Sequence, residues 1–333
     1  MKNIEIRPLD PPEYPAWDQF VSTNPQGTIF HSSRWVNAIA RVTNQRSTIF
    51  GCFDHARLVG GYIAYHKRFE LFYRSAGSTA PMSSFGGLVV DDDPNRDQYR
   101  RYKRLDAIVH AVTQDLRSRR SNYVLFELSP PFLDIRPFIW IGWKAIPCYL
   151  YVTSPGAADP SKEARRRIRK AEKAEIVIEQ SKDYHAYSTL FSDTYTRQGL
   201  EPPLKKEQMV QLLQMVDEAG LGRMWVARTP AGEFAAAEIR LYDEKRTYAW
   251  SSASDPELRK NGSSYLLQNT IFHHEALDGF KQTYLFCANV PKLMSFQREF
   301  RPELVLYYQV KYIQRPWNYL PFHQISGRSH VHK

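Results

Sequence analysis

The sequence predicts a mixed α/β protein built as two consecutive domains. Three observations carry this. The chain has 333 residues, and about 150 residues per domain suggests two. Segments with helical spacing of apolar residues alternate with short strand-like runs along the chain. The stretch 153–160, TSPGAADP, has the composition of a linker near the chain midpoint. The expected domains are residues 1–155 and 160–313, with a flexible basic tail over 314–333.

Each element has its own reason. Residues 4–7 alternate as a strand, 17–21 carry a helical pattern, and Asn24-Pro25-Gln26-Gly27 reads as a turn. His31-Ser32-Ser33 caps a helix with Trp35, Ile39 and Val42 on one face. Strands over 47–53 and 58–64 flank the tetrapeptide DHAR as a hairpin. The segment 75–87 is a Gly/Ser/Pro-rich loop, 97–120 a long amphipathic helix, and 123–128 a buried strand. The apolar stretch 132–152 is broken by Asp134, Arg136, Pro137, Lys144 and Pro147, and reads as strands and turns. In the second half, a charged helix covers 161–174 and a strand 176–179. Amphipathic helices follow over 184–197 and 205–219, then three strands over 223–228, 234–242 and 247–252. A helix over 264–277 stops at Gly279, a left-handed cap. A strand at 283–286, a short helix near 293–299 and a strand over 304–313 complete the domain.

Composition excludes several classes. Hydrophobic residues make up 43% and charged residues 24%, which fits neither a disordered nor a collagen-like chain. The three cysteines, Cys52, Cys148 and Cys287, are scattered and form no CxxC pair, so neither a zinc ribbon nor a disulfide framework is expected. No metal site is expected, and the triplet Asp91-Asp92-Asp93 reads as a turn before the long helix. No run of about 18 apolar residues exists, so no integral membrane segment is expected. The N-terminus lacks a signal-peptide core. The expectation is a cytoplasmic protein, with peripheral membrane contact left open.

The net charge is +10, from 45 basic and 35 acidic residues. The segment 162–173, KEARRRIRKAEK, holds seven basic and two acidic residues, so it supplies half of that excess. On a helix, Arg165, Arg169 and Lys173 share one face and Arg166 and Lys170 the next. This is either a solvated helix or a phosphate-binding strip for a nucleotide, an RNA or a phosphorylated lipid. A second anion candidate is the loop Arg259-Lys260-Asn261-Gly262-Ser263-Ser264. It stands between a strand and a helix N-terminus, where free backbone N–H groups favour phosphate.

These segments resemble a known family. EARRRIRKAEKAEIVIE is similar to the R-R-x-I-R-K-A-x-K-x-G stretch of FemABX-like proteins, with Glu175 where glycine is usual. Ala235-Ala236-Ala237, Tyr248, Ala253-Ser254-Asp255, Gly262, Leu266-Leu267-Gln268 and Gly279-Phe280-Lys281 follow the same family's course. The HSSRW segment and the FGG loop are similar too, and the likeness spans about residues 28–310. The R-x-x-G-x-S loop also resembles the coenzyme A pyrophosphate loop of GNAT acetyltransferases. The resemblance implies two tandem GNAT-like domains, each a mixed sheet flanked by helices. It implies an acyltransferase or aminoacyltransferase that moves an acyl group to an amine of a cell-envelope or small-molecule acceptor. No cofactor is expected to stay bound; acyl-CoA or aminoacyl-tRNA is the co-substrate. The phosphate-bearing partner is then a nucleotide, CoA or tRNA. One departure stands out. The family's F-K-x-x-F-G is here Phe296-Gln297-Arg298-Glu299-Phe300-Arg301, so Gln297 replaces lysine, Arg298 lies one residue away, and Arg301 replaces glycine.

Acyl transfer needs an oxyanion stabilised, an amine deprotonated and two substrates aligned. Backbone N–H groups of a splayed strand over 247–252 suit the first task. Glu238, Asp255 and Tyr248 are the candidate proton acceptors or relays. Glu238 interrupts the apolar run AAAEIRLY; the alternative is a structural pairing with Arg240. Arg34 and Trp35 line the acceptor side by resemblance, and Trp35 is otherwise a core aromatic. Two competing readings remain. One is a non-catalytic protein of this fold that binds RNA or anionic envelope components. The other is a condensation-type acyltransferase, from His273-His274-Glu275-Ala276-Leu277-Asp278-Gly279, which matches HHxxxDG inside a helix.

Overall fold

A computed structural model describes residues 4–69, 73–92, 95–121, 123–286, 288–289 and 291–313. The expected tail, 314–333, lies outside the described residues. The chain forms two compact units. Unit 1 runs to Cys148 and takes up the chain again from Leu306; unit 2 is Tyr149–Val305. The break therefore falls inside a strand rather than in the 153–160 segment. The strand expected to close the second domain belongs, from Leu306, to the first.

Unit 1 contains β1 (Ile4–Pro8), α1 (Tyr14–Thr23), α2 (Ser33–Thr43), β2 (Ser47–Asp54), β3 (Arg57–Phe69), β4 (Tyr73–Gly77), β5 (Val89–Val90), α3 (Gln98–Ser118), β6 (Tyr123–Glu127) and α4 (Arg136–Trp140). β7 (Lys144–Thr153) carries the chain into unit 2. Local chemistry sets these ends. Asp97 accepts from the Arg100 N–H at 3.1 Å and caps α3. The α4 turn was not expected: Pro137 lies in its first turn, where a fixed φ and a missing N–H cost nothing. Phe138 of α4 is buried beside Trp143, Phe126 and Tyr62 in the core of this unit. Asp91 is held by Arg57, Arg96 and Arg104 at 2.6–3.1 Å, an ion-pair knot that fixes the turn before α3.

Unit 2 contains α5 (Lys162–Lys173), β8 (Val177–Gln180), α6 (Tyr184–Thr196), α7 (Lys206–Glu218), β9 (Gly222–Arg228), β10 (Phe234–Tyr242), β11 (Thr247–Ser254), α8 (Ser263–Leu277), β12 (Thr283–Leu285) and α9 (Pro291–Arg298). β13 (Glu303–Ile313) leads back to unit 1. The strand order is β1-β2-β3-β4-β6-β13 in unit 1, with β5 on β3, and β7-β12-β11-β10-β9-β8 in unit 2. Ser161 caps α5 by accepting from the Ala164 N–H at 3.0 Å. α5 buries only Ala164, Ile168 and Ala171, and its other face stays in solvent. It ends in a Schellman motif: the Ile176 N–H donates to Ala171 O at 3.1 Å and the Glu175 N–H to Glu172 O at 3.0 Å. That motif needs a left-handed residue, and Glu175 supplies it with φ 54°. Arg301 likewise sits at φ 49°. Both side chains thus hold backbone conformations that glycine adopts without strain.

Among the described pairings, each unit contains one parallel strand pair, three residues long. In unit 1, β4 pairs with β6 at Ser75↔Tyr123, Ala76↔Val124 and Gly77↔Leu125. In unit 2, β11 pairs with β12 at Thr247↔Thr283, Tyr248↔Tyr284 and Ala249↔Leu285. The two pairs end differently. In unit 1 the chain closes over the pair. Ser78 N–H donates to Leu125 O at 2.9 Å, and Ser78 Oγ accepts from the Glu127 N–H at 2.8 Å. Gly87 N–H donates to Glu127 O at 3.0 Å. A Cβ at Gly86 would lie 2.1 Å from Ser78 O, so glycine is required for this closure. In unit 2, β12 stops at Leu285 while β11 runs five residues past its last partner, to Ser254.

Candidate functional site

The splayed end of β11 is the place to build a site in unit 2. On its other edge β11 pairs with β10, and the register slips between Ile239 and Arg240. Ser251 faces Ile239 and Ala249 faces Arg240, so Trp250 is the extra residue of a β-bulge. A bulge re-aims backbone N–H groups and side chains, and it stands where β11 leaves β12. Ser251, next to it, accepts a hydrogen bond from the Tyr187 hydroxyl of α6 at 2.6 Å. Burial pushes the Tyr187 hydroxyl far above the ordinary tyrosine range, so it stays protonated and serves as a donor. Nothing in the sequence marks this pair, because 184–197 reads only as an amphipathic helix.

Of the expected proton acceptors, Glu238 stands beside the bulge, opposite Ser252 of β11, but is engaged in ion pairs. Glu238 lies on β10, 5% exposed, with its carboxylate 3.3 Å from Arg240 Nε. Glu275 of α8 stands 3.4 Å from the same nitrogen. Arg240 is wholly buried, and its guanidinium also covers the Phe272 ring at 5.4 Å. Burial raises the Glu238 carboxyl above its ordinary range, Arg240 opposes that, and Glu275 adds to it. Glu238 is thus held in an ion cluster under α8. Tyr248 is also buried and donates its hydroxyl to Asp243 in the β10–β11 turn, at the far end of β11 from the splay. Burial pushes its hydroxyl well above the usual range. Asp255 Oδ1 accepts from the Glu257 and Leu258 N–H groups at 2.8 and 2.9 Å. It caps the turn Leu258–Asn261 that directly follows β11.

The phosphate-loop expectation changes most. Gly262 has φ 95°, and a Cβ there would sit 2.2 Å from the Arg167 carbonyl oxygen of α5. The Gly262 N–H already donates to Arg259 O at 3.1 Å, and the Ser263 N–H to Asn261 Oδ1 at 3.0 Å. Ser263 is fully buried. The start of α8, with Ser264 in its first turn, is thus packed on α5, and two of the amides expected to cradle phosphate are spent inside the loop. The same packing joins the two cationic segments that the sequence presents separately. Lys170 Nζ donates to Lys260 O at 2.9 Å, so the middle of α5 lies on the Arg259 turn.

The charges of α5 are unequally paired. Arg165 meets Asp159, which also takes Arg301, while Arg166 and Arg167 share Glu163 at 2.6 and 2.8 Å. Arg169 and Arg259 are exposed and have no carboxylate partner among the described residues. In α9, Arg298 Nε donates to the Tyr151 hydroxyl at 2.8 Å, and the Gln297 side-chain oxygen is buried without a partner. The Glu299 carbonyl accepts from Ser161 N–H at 2.7 Å, so α9 anchors the start of α5.

In unit 1, Arg34 is exposed on α2, whereas Trp35 is wholly buried and donates Nε1–H to Ser83 Oγ at 2.7 Å. Trp35 is therefore a core anchor of the 78–87 loop. His273 and His274 lie exposed on α8, with the His274 ring 4.8 Å from Trp225. The motif's buried member is Glu275, committed to Arg240 and to Thr283 Oγ1 at 2.8 Å, and Asp278 pairs with Arg223. HHxxxDG is here a helix surface with one structural carboxylate.

Residues 160–290 match the family model of an acetyltransferase (GNAT) domain. The fold is similar to that of FemX, at TM-score 0.73 and 12% identity over 93% of this chain and 97% of that one. It is similar to L-PGS from Bacillus licheniformis, at TM-score 0.58 and 10% identity over 93% and 94%. It also resembles a tandem GNAT protein from the clavulanic acid biosynthesis pathway, at TM-score 0.55 and 12% identity over 95% and 100%. No curated protein matches the chain by sequence. Residues 160–290 thus match a GNAT acetyltransferase domain, within a mixed α/β chain whose fold is similar to those of FemX and of the tandem GNAT protein.

Proposed function

We propose that the chain is an acyltransferase whose phosphate-bearing donor binds unit 2, with the acyl group delivered to an amine at the splayed end of β11. The carrying observation is the contrast between the two parallel strand pairs: closed by Ser78 and Gly87 in unit 1, left by β12 at Leu285 in unit 2. Backbone N–H groups of the bulged strand suit a developing oxyanion, and the Tyr187–Ser251 hydroxyls suit proton donation to the leaving group. Arg169, Lys170 and Arg259 supply cations along one surface, next to a loop whose amides are occupied. Exposed side-chain cations suit a long polyanion better than a compact pyrophosphate needing a backbone cradle, which favours aminoacyl-tRNA over acyl-CoA as donor. The acceptor amine belongs to a cell-envelope precursor or a small molecule.

A non-catalytic RNA-binding role is the second reading, favoured by the confinement of Glu238 in its ion cluster. Titrating the protein with charged tRNA and with coenzyme A, then supplying each donor with amine acceptors, separates the readings. The proposal expects tRNA binding that weakens steeply with salt, loss of that binding in the Arg169→Glu/Arg259→Glu variant, and acylated product. Binding of tRNA without product from any aminoacyl donor supports the second reading. Binding of neither donor sinks both.

A further inference from the structure

We propose that unit 1 carries a docking surface for an anionic lipid bilayer, formed by Tyr99, Tyr102, Leu133, Arg136, Ile139 and Trp140. The surface is distinct from the donor site in unit 2. Ten large hydrophobic side chains are exposed among the described residues, and five of them lie here: Trp140 at 66%, Leu133 at 64%, Tyr99 at 62%, Ile139 at 49% and Tyr102 at 41%. Such clustering marks an interaction surface, because exposed apolar residues are otherwise scattered.

The patch is tied together by cations. The Arg136 guanidinium lies 5.1 Å over the Tyr102 ring and 5.7 Å over the Trp140 ring, and Asp134 holds it at 2.8 Å. Lys103 Nζ stands 4.7 Å over Tyr99, and Gln98 donates to the Tyr102 hydroxyl at 2.6 Å. Tyr99, Tyr102 and Lys103 share a face of α3 by their spacing. The helix opens QYRRYKRL, four basic residues without an acidic one. Arg101 and Arg104 turn to Asp92 and Asp91, while Arg100 and Lys103 have no carboxylate partner among the described residues.

Charge and shape together select the occupant. Tryptophan and tyrosine favour the boundary between headgroups and acyl chains, leucine and isoleucine enter the acyl side, and lysine and arginine meet anionic headgroups. A single-stranded nucleic acid would use the rings and the cations but would leave Leu133 and Ile139 without a role. Among the described residues no helix is long and apolar enough to cross a membrane, so the contact is a surface one.

The test is co-sedimentation of the full chain with vesicles of phosphatidylcholine alone, and of phosphatidylcholine with about one-third phosphatidylglycerol. Binding is expected only with the anionic lipid. Ile139→Ser/Trp140→Ser should lower the partition coefficient about tenfold or more. Arg100→Gln and Lys103→Gln should lower it about fivefold each, and less at high salt. Melting temperatures of these surface variants check that the fold is kept, and Tyr149→Ser, an exposed aromatic outside the patch, should bind like the parent. Failure of the parent protein to sediment with anionic vesicles overturns the proposal, as does equal sedimentation of all variants. Protection of the patch by RNA but not by vesicles overturns it in favour of a nucleic acid.

Discussion

Replacing Glu127 by glutamine should remove a defined part of the pH dependence of stability. Glu127 ends β6 in unit 1, under the loop that closes the parallel pair, and Tyr307 and Gln309 hydrogen-bond to its carboxyl. Burial is the largest influence on it, the two hydrogen bonds oppose burial, and the carboxyl is pushed up from 4.5 to about 7. The folded protein therefore holds this proton more tightly than the unfolded chain. The stabilisation is complete below the unfolded value, near 4.5, and is lost as pH rises through about 7. At about 1.36 kcal/mol per pH unit, a rise from 4.5 to about 7 corresponds to about 3 kcal/mol. Glu127→Gln carries no charge at any pH, so it should match the parent near pH 4.5 and gain about 3 kcal/mol on it above neutrality. Urea unfolding of both proteins, at matched pH from about 5 to about 8, measures the difference. A difference that stays constant across this window would refute the reasoning.

Other outcomes follow from unit 2. Gly262→Ala combines a left-handed φ with a Cβ 2.2 Å from the Arg167 oxygen, so thermal unfolding should show a loss of about 2 kcal/mol or more. Arg240→Met leaves Glu238 and Glu275 buried without their cation and should cost about 3–5 kcal/mol in urea unfolding, with partial recovery when Glu238→Gln is added. Glu175→Gly relieves a left-handed φ of 54° at the end of α5 and should raise stability by about 0.5–1 kcal/mol, read as a higher melting temperature. Tyr187→Phe should lower kcat for the proposed transfer while leaving donor affinity unchanged, since its hydroxyl reaches Ser251 and not the cationic strip.

What the sequence announced was mostly local. The helices over 97–120 and 161–174 are legible in the sequence, the first from its apolar stripe and the second from its run of charges, and the structure shows them capped by Asp97 and Ser161. The two glycine-to-side-chain departures at Glu175 and Arg301 were visible as departures, but only the structure reveals that both keep a left-handed backbone. Long-range partners were illegible. Nothing in the spacing of the RKNGSS loop told that Gly262 would press on Arg167, and so the expected phosphate cradle became a helix–helix contact. Glu275 reads as part of a histidine motif because its partner, Arg240, lies on β10, 35 residues earlier in the chain. The α4 turn hid among prolines because five residues are too few to display a helical period. β13 was given to the second domain because sequence proximity is the default guess for strand pairing.

That last strand has a consequence for synthesis. Val310 and Tyr312 of β13 stand opposite Phe126 and Val124 of β6, so the sheet of unit 1 is completed by residues made almost 200 positions later. Until they leave the ribosome, β6 presents an unpaired edge with Val124 and Phe126 beside it. A ribosome-bound chain stalled before Leu306 should therefore hold a first unit that proteases still cut.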